Sequence, residues 1–391
     1  MNQQRNNEGA LSGYRVLDLA DERGIFCSRI LADMGADVVR VERPGEGSAR
    51  GLYFWAANLG KRGITLNLAA SQGREIFKRL VKSTDILVES YQSAYLETLG
   101  LDYSWLSEVN PRLIMASITN FGQSGPCRNC KSSDLVASAL GGQMYVCGEP
   151  DTPPLKPFGS QSYFSACLFA AIGIMTALWG RHLTGKGQQI DISIQDCVAA
   201  CLDHVLVRYF YEGVVTKRQD SLYWNNAFRV FPCRDGYILL SMFHQWGTLV
   251  EWLDSEGMAE DLTDKKWLDR DYRLQQLAHV IEVLERWARS HTVAELVEQG
   301  QLMRFPWAEV VTMSRLLDNS QLRERDFWVE VEHPETCKRS KFPGAPCKLS
   351  RSPWQVGSHM PSVGEHNMDI YCWELGLSER EVEALVKEGI I

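Results

Sequence analysis

Several motifs that announce a function are missing from this chain. No GxGxxG follows its first strand pattern and no GxxxxGK[ST] occurs anywhere, which removes the two common glycine-loop routes to nucleotide binding. Among eight histidines no HxxxH, HExxH or Ser-His-Asp spacing stands out, so neither a zinc protease nor a triad hydrolase is indicated; His333 in "EHP" and His366 in "GEHN" read as turn or core histidines. A basic excess is absent as well. The formal net charge of -8 argues against a nucleic-acid surface and leaves any anion to be held by a few placed groups.

The opening stretch, "MNQQRNNEGALSGYRV", lacks the apolar core and small-residue cleavage site of a signal peptide. One uncharged run, residues 157–180, approaches the ~18 residues a membrane span requires. Its Ser, Gln, Tyr, Cys and Gly content suits a buried core helix instead. These features place the chain in the cytoplasm, with no membrane or nucleic-acid partner. Its 11 cysteines are scattered and odd in number, as expected of reduced thiols rather than a disulfide framework. Only Cys127 and Cys130 form a CxxC pair. A redox dithiol and half a zinc site are the functional readings, but with no second CxxC or paired His the plain reading is a loop bearing two thiols.

What is present is a rhythm. "YRVLDLA" reads as a strand, "GIFCSRILADMG" as a helix ending at Gly35, and residues 37–41 as a second strand, which together make a βαβ unit. The same alternation continues through "GITLNL", a helix over 71–81, "DILVES", helix over 95–109 and the strand in "RLIMASITNFG". A Pro-rich loop over 148–159 leads into the long apolar helix, and the glycines of "TGKGQ" end it before a strand. From about residue 223 the pattern changes to a hairpin around Asp235-Gly236, followed by amphipathic helices over 246–301. The last helix opens with a Ser378/Glu381 capping box. A chain of 391 residues exceeds one core, so two or three domains are expected, an open parallel α/β sheet first and a smaller α+β domain after it.

In an open α/β sheet, ligands bind beyond the C-terminal strand ends. Arg40, Arg43, Lys61, Arg62 and Lys131 stand near those ends and are candidates to hold a phosphate-bearing ligand, with solvated surface charge as the competing reading. Tyr223, Trp224, Phe228, Phe231 and Phe243 in the smaller domain suit either an aromatic substrate or core packing.

"VLDL", "SRILADMGADVVRVERPGEGSAR", "GKRGITLNL", "DILVESY", "LGLDYSWLSEVNPRLIMASITNFGQSGP", "AAIGIMTALWGRHLTGKGQQIDIS", "FPGAPCKLSRSP" and "VGEHNMDIYCWELGLSEREVEALVKEGII" run through nearly the whole chain in one order. Together they resemble the class III CoA-transferases, the family of formyl-CoA transferase and carnitine CoA-transferase. The resemblance implies a large Rossmann-like domain with an open parallel sheet built from both chain ends, 1–205 with 330–391, and between them 206–329 as a linker helix and smaller α+β domain. Implied with it are an obligate dimer of interlocked rings, coenzyme A or an acyl-CoA as substrate, and no tightly bound cofactor. It also implies an aspartate at the start of the long helix, nine residues before its "IG" step. That residue attacks the acyl thioester to give a mixed anhydride, which CoA thiolate converts to an aspartyl-CoA thioester.

Counting back nine from Ile172 reaches Tyr163, and no Asp or Glu occurs from Thr152 through Ile190. The chain is therefore expected to be silent in the family's covalent chemistry. On the binding side, Arg43 and Lys131 match the family's phosphate-contacting basics, Leu66 and Tyr91 its adenine contacts, and Ser90 a neighbouring position. Asp134 matches an acid that supports the nucleophile; its competing reading is a helix N-cap. Ala69 and Thr98 depart from lysine and arginine in some members, which implies weaker CoA binding. The leading expectation is a non-catalytic subunit paired with a homologous chain that carries the aspartate, acting on succinyl-CoA and an aromatic acid. An acyl-CoA isomerase or racemase using Asp134 or another group as base, or a homodimeric acyl-CoA binding or regulatory protein, are the alternatives.

Overall fold

The computed structural model describes residues 9–45, 51–218, 222–223, 228–332 and 339–391. His333 and Trp224 lie outside the described residues. The chain divides into two compact units, the first from the described parts of Met1–Tyr145, Leu155–Thr216 and Ser320–Ile391, the second from those of Val146–Pro154 and Lys217–Asn319.

The first unit is built on a six-stranded parallel sheet of β1 (Arg15–Leu19), β2 (Asp37–Glu42), β3 (Arg62–Thr65), β4 (Ile86–Glu89), β5 (Ile114–Thr119) and β6 (Gln189–Ser193), ordered β3-β2-β1-β4-β5-β6. This is the Rossmann order, with its reversal between β1 and β4. Central strands such as β5 are buried at every residue, which is why they read as continuous apolar runs. Edge strand β6 is not. Alternate residues feed two cores. Val16, Val38, Ile86 and Ile114 face α1 (Ile25–Asp33) and the long helix, whereas Leu17, Val39, Leu87 and Met115 face α2 (Ser71–Val81) and the C-terminal helix Glu379–Lys387.

Two expected elements are shorter than their patterns. The β3 strand stops at Thr65 because Asn67 turns the chain: its side chain accepts from Ala69 N at 3.1 Å and its own N–H donates to Ile390 O at 2.7 Å. The pattern over 95–109 divides into Tyr95–Thr98 and Tyr103–Val109, the second started by Asp102, which accepts from Trp105 N at 3.1 Å.

After β5 come α3 (Asp134–Leu140), α4 (Gln161–Thr184) and α5 (Ile194–Ala200). Helix α4 buries Ala166, Ala170, Ala171, Ile174, Ala177 and Leu178 against the sheet and α1. Gly185, at φ 74°, ends it, and Gly187 passes so close to Leu113 that a Cβ there would meet its carbonyl. The "TGKGQ" glycines are thus a helix stop.

In the second unit β7 (Leu222–Tyr223), β8 (Phe228–Pro232), β9 (Tyr237–Ser241) and β10 (Ala308–Glu309) form an antiparallel sheet in the order β10-β9-β8-β7. It is joined by α6 (Trp246–Ser255), α7 (Leu277–Arg289) and α8 (Val293–Leu302) around Phe231, Trp267, Trp287 and Trp307. Phe231 is fully buried there and Phe243 packs against the same core, so of the two sequence readings packing is the one these residues fulfil.

Candidate active site

Where the strand order reverses, the chains leaving β1 and β4 diverge and cannot fill the space between them. A cleft of about 540 Å³ results, walled by Asp21 and Glu22 after β1, Arg40 and Arg43 at the end of β2, Leu66 after β3 and Tyr91 after β4. Tyr91 and Tyr95 lie with ring centroids 5.0 Å apart, and the Arg40 guanidinium sits 5.6 Å from the Phe54 ring centre. Cations, an apolar wall and aromatic faces together suit a ligand with phosphates and a flat ring.

Through Arg40 the cleft is tied to a buried ionic network. Lys61 Nζ donates to Asp18 Oδ2 at 2.8 Å, Ser28 Oγ at 2.9 Å, Asn58 Oδ1 at 3.0 Å and Ile25 O at 3.2 Å. Asp18 also meets Arg40 at 3.4 Å and accepts from Ala20 N at 3.0 Å. Burial pushes the Asp18 carboxyl up, but Lys61 and Arg40 outweigh it and hold it below its ordinary range. Lys61 is consequently no phosphate ligand: both it and Asp18 have fully buried side chains. Arg62 is likewise committed, bridging Asp37 and Glu374, the latter at 2.5 Å. These two sequence candidates are corrected to structural ties between strand ends.

Tyr163 stands in the first turn of α4, 5% exposed. Burial first, and then the nearby Glu22 carboxylate, push its phenol up to about 12 against the opposing pull of Arg23. Glu22, whose charge acts on this phenol, also lines the cleft. Arg23 is paired with Asp21 at 2.6 Å, and Asp21 accepts from the Ser90 hydroxyl at 2.8 Å. Asp134 does not cap its own helix, a role taken by Ser133. Its carboxylate reaches across to α4, accepting from Ser162 N at 2.9 Å and Tyr163 N at 3.4 Å, and is salt-bridged to Lys156 at 2.7 Å. A carboxylate on the free N–H groups of a helix start is favoured by hydrogen bonding and by the helix dipole.

Beside β4 and β5 a second, polar cavity of about 360 Å³ is bordered by Glu89, Ser117, Gln123 and Arg128. Glu89 accepts from Tyr91 N at 2.8 Å. Burial pushes its carboxyl up to about 7, more than its bonds to Ser117 and Tyr91 N and the charge of Arg23 can offset, while Asp21 adds to the rise. A carboxyl raised on folding stabilises the fold below its unfolded pKa, and that contribution is lost as pH climbs from about 4.5 to about 7. Glu89→Gln should therefore stabilise the chain by about 3 kcal/mol at pH 8 and by nothing below about pH 4.5. Urea melts of the two proteins across that window would check it; parallel pH profiles would refute it.

Of the sequence-derived site residues, Arg43, Leu66 and Tyr91 share the cleft, and Ser90 supports it through Asp21. Asp134 and Tyr163 meet at the start of α4. Lys131 is exposed on the loop before α3 and is not among the cleft-lining residues. Sequence reasoning missed Glu22, Arg23 and Phe54. The first two directly follow a β1 strand end in a βαβ unit, a signal that could have found them; Phe54 sits on a six-residue helix with no periodic signature.

The family model for CoA-transferase family III matches residues 11–367. The BbsE subunit of succinyl-CoA:(R)-benzylsuccinate CoA-transferase from Thauera aromatica is 33% identical, over 97% of this chain and 98% of its own. Formyl-CoA:oxalate CoA-transferase from Streptomyces avermitilis is 30% identical, over 98% and 99%. A CaiB/BaiF family protein from Brucella suis superposes with a TM-score of 0.82 at 28% identity, covering 94% of this chain and 99% of that one.

Proposed function

This chain belongs to CoA-transferase family III, and from that premise we propose that it is the non-catalytic subunit of a heteromeric CoA-transferase. The enzyme moves CoA from succinyl-CoA to an aromatic acid, as the benzylsuccinate enzyme's name describes, and the partner is a homologous chain that carries the aspartate. One observation carries the reading: the seat at the start of α4 holds the buried phenol of Tyr163, and no carboxylate occurs from Thr152 through Ile190. A phenol cannot become an acyl-CoA thioester. The match to a subunit of a CoA-transferase, end to end, supports it further.

In this reading the cleft receives the nucleotide end of a CoA thioester. Arg43 meets phosphate, and Leu66 and Tyr91 hold the adenine, while Lys131, which does not line this cleft, takes no part there. Asp134 keeps the start of α4 in place; with two backbone N–H groups and Lys156 on its carboxylate, it is already engaged where a base for isomerase chemistry would have to be open.

A partner also answers a packing question. Helix α4 is apolar all round, and the face opposite the sheet presents Leu168, Ile172, Met175, Trp179 and Leu183 along one stripe, with Ile172 62% and Trp179 69% exposed. Helix Asp203–Glu212 adds exposed Leu206, Phe210 and Tyr211. Patches of this kind mark protein interfaces. The partner covers this stripe, the two chains interlocking.

Co-expression with an Asp-bearing homologue, followed by native mass measurement and a CoA-transfer assay, tests the proposal. A heteromer active only with both chains is expected. A mass showing identical subunits alone in the partner's presence would sink it. Ile172→Asp should weaken partner association by about a hundredfold or more, because an unpaired carboxylate would be buried on the stripe; unchanged co-purification would contradict this use of the face.

A further inference from the structure

The loop between β5 and α3 carries Cys127 and Cys130, which the CoA chemistry does not use. Both are exposed. The loop turns twice, with Arg128 N donating to Gly125 O at 3.4 Å and Cys130 N to Cys127 O at 2.8 Å. The second turn brings residues three apart in sequence face to face. The neighbouring Cys127 thiol pushes the Cys130 thiol up. Among the described residues, Cys201 and Cys347 are exposed cysteines as well, whereas Cys27, Cys167 and Cys197 are buried, and burial raises all three thiols.

The loop is held at both ends. Gln123 N donates to Asp191 at 3.0 Å, and the Ser93 hydroxyl donates to Gln123 Oε1 at 3.0 Å. Four residues beyond Cys130 stands Asp134, the clamp on α4. A pair of exposed thiols on an anchored turn has its partner sulfur already placed, so closing a bridge costs little chain entropy.

We propose that Cys127 and Cys130 are a redox modification site, a dithiol that closes to an intraloop disulfide by exchange with a low-molecular-weight disulfide. One loop thiolate attacks a sulfur of the small disulfide, forming a mixed disulfide and releasing one small thiol. The second loop thiolate then attacks the protein sulfur of that mixed disulfide and displaces the other. Two protein S–H bonds and one small-molecule S–S bond are lost, one loop S–S bond forms, and the two small thiols leave with both protons and the electron pair. The closed bridge fixes the segment that carries Lys131 and leads to Asp134.

The full reduced chain is incubated in graded mixtures of glutathione and glutathione disulfide, the free thiols are alkylated, and intact masses and peptides are read. Cys127 and Cys130 should lose alkylation together, with a mass loss of two hydrogens and no retained glutathione, at about tenfold or more less oxidant than modifies Cys201 or Cys347. Those two single thiols, in the same molecule, should only gain glutathione. Cys130→Ser should leave a stable glutathione adduct on Cys127. Glutathione retained separately on both loop cysteines of the unaltered chain would overturn the proposal. So would loop thiols still open to alkylation when Cys201 is fully modified.

Discussion

Incubated alone with succinyl-CoA, this chain is expected to form no covalent adduct and to transfer CoA about a thousandfold or more slowly than its complex with an Asp-bearing partner, the scale on which enzymes lose rate when a nucleophile is removed. Tyr163→Phe in the complex should keep the rate within about twofold, since a group with no part in the transition state contributes nothing to its stabilisation. Tyr163→Asp should permit partial acylation. Arg23 offers the new carboxylate a counter-charge, whereas Glu22, Asp21 and Asp134 crowd it with like charge. Emptying the ring's buried space costs about 3 kcal/mol or more, which limits how well the new nucleophile is held. Intact mass after brief exposure to acyl-CoA distinguishes the variants. An adduct on the unaltered chain would refute its silence, and a large loss in Tyr163→Phe would assign the phenol a chemical part.

Lys61→Met is expected to destabilise the fold by about 3–5 kcal/mol, the usual cost of breaking a buried ion pair from one side. The methionine fills most of the volume but removes the ammonium on which Asp18, Ser28, Asn58 and Ile25 O converge. Asp18 would be left with Arg40 at 3.4 Å, the Ser28 hydroxyl at 2.8 Å and the Ala20 N–H. Pairing the change with Asp18→Asn should recover part of the loss, because the stranded charge is then gone. Urea unfolding measures both, as a lowered midpoint with unchanged slope. A fall of less than about 1 kcal/mol for Lys61→Met would put the network among ion pairs that contribute nothing measurable.

The two experiments probe different layers of legibility. The strand–helix rhythm, the glycine stop after α4, the Ser378/Glu381 capping box and the carboxylate-free stretch over 152–190 were all readable, since each depends on residues within a turn or two of one another. In the sequence Lys61 stands as a candidate anion contact, and only the fold reveals its partner Asp18, 43 residues away on β1, beyond the intervening β2. Asp134 reads in the sequence as a cap for its own helix, yet it accepts from Ser162 N, 28 residues later, at the start of α4. Both misreadings have one cause: charge is visible in a sequence, but the ion or N–H group it answers is chosen by strand order and helix packing.

Sequence by itself determined the alternation of strands and helices, the family, and the absence of any carboxylate over 152–190, because hydrophobic period, turn chemistry and residue identity are properties of the chain. Tertiary structure decided that Arg43, Leu66 and Tyr91 share one cleft, that Lys61 is buried against Asp18, and that α4 presents a second apolar face. Those follow from the reversal of strand order between β1 and β4 and from which side of α4 the sheet covers. Contacts between residues far apart in the chain carry no local signal, so they exist only once the sheet has assembled.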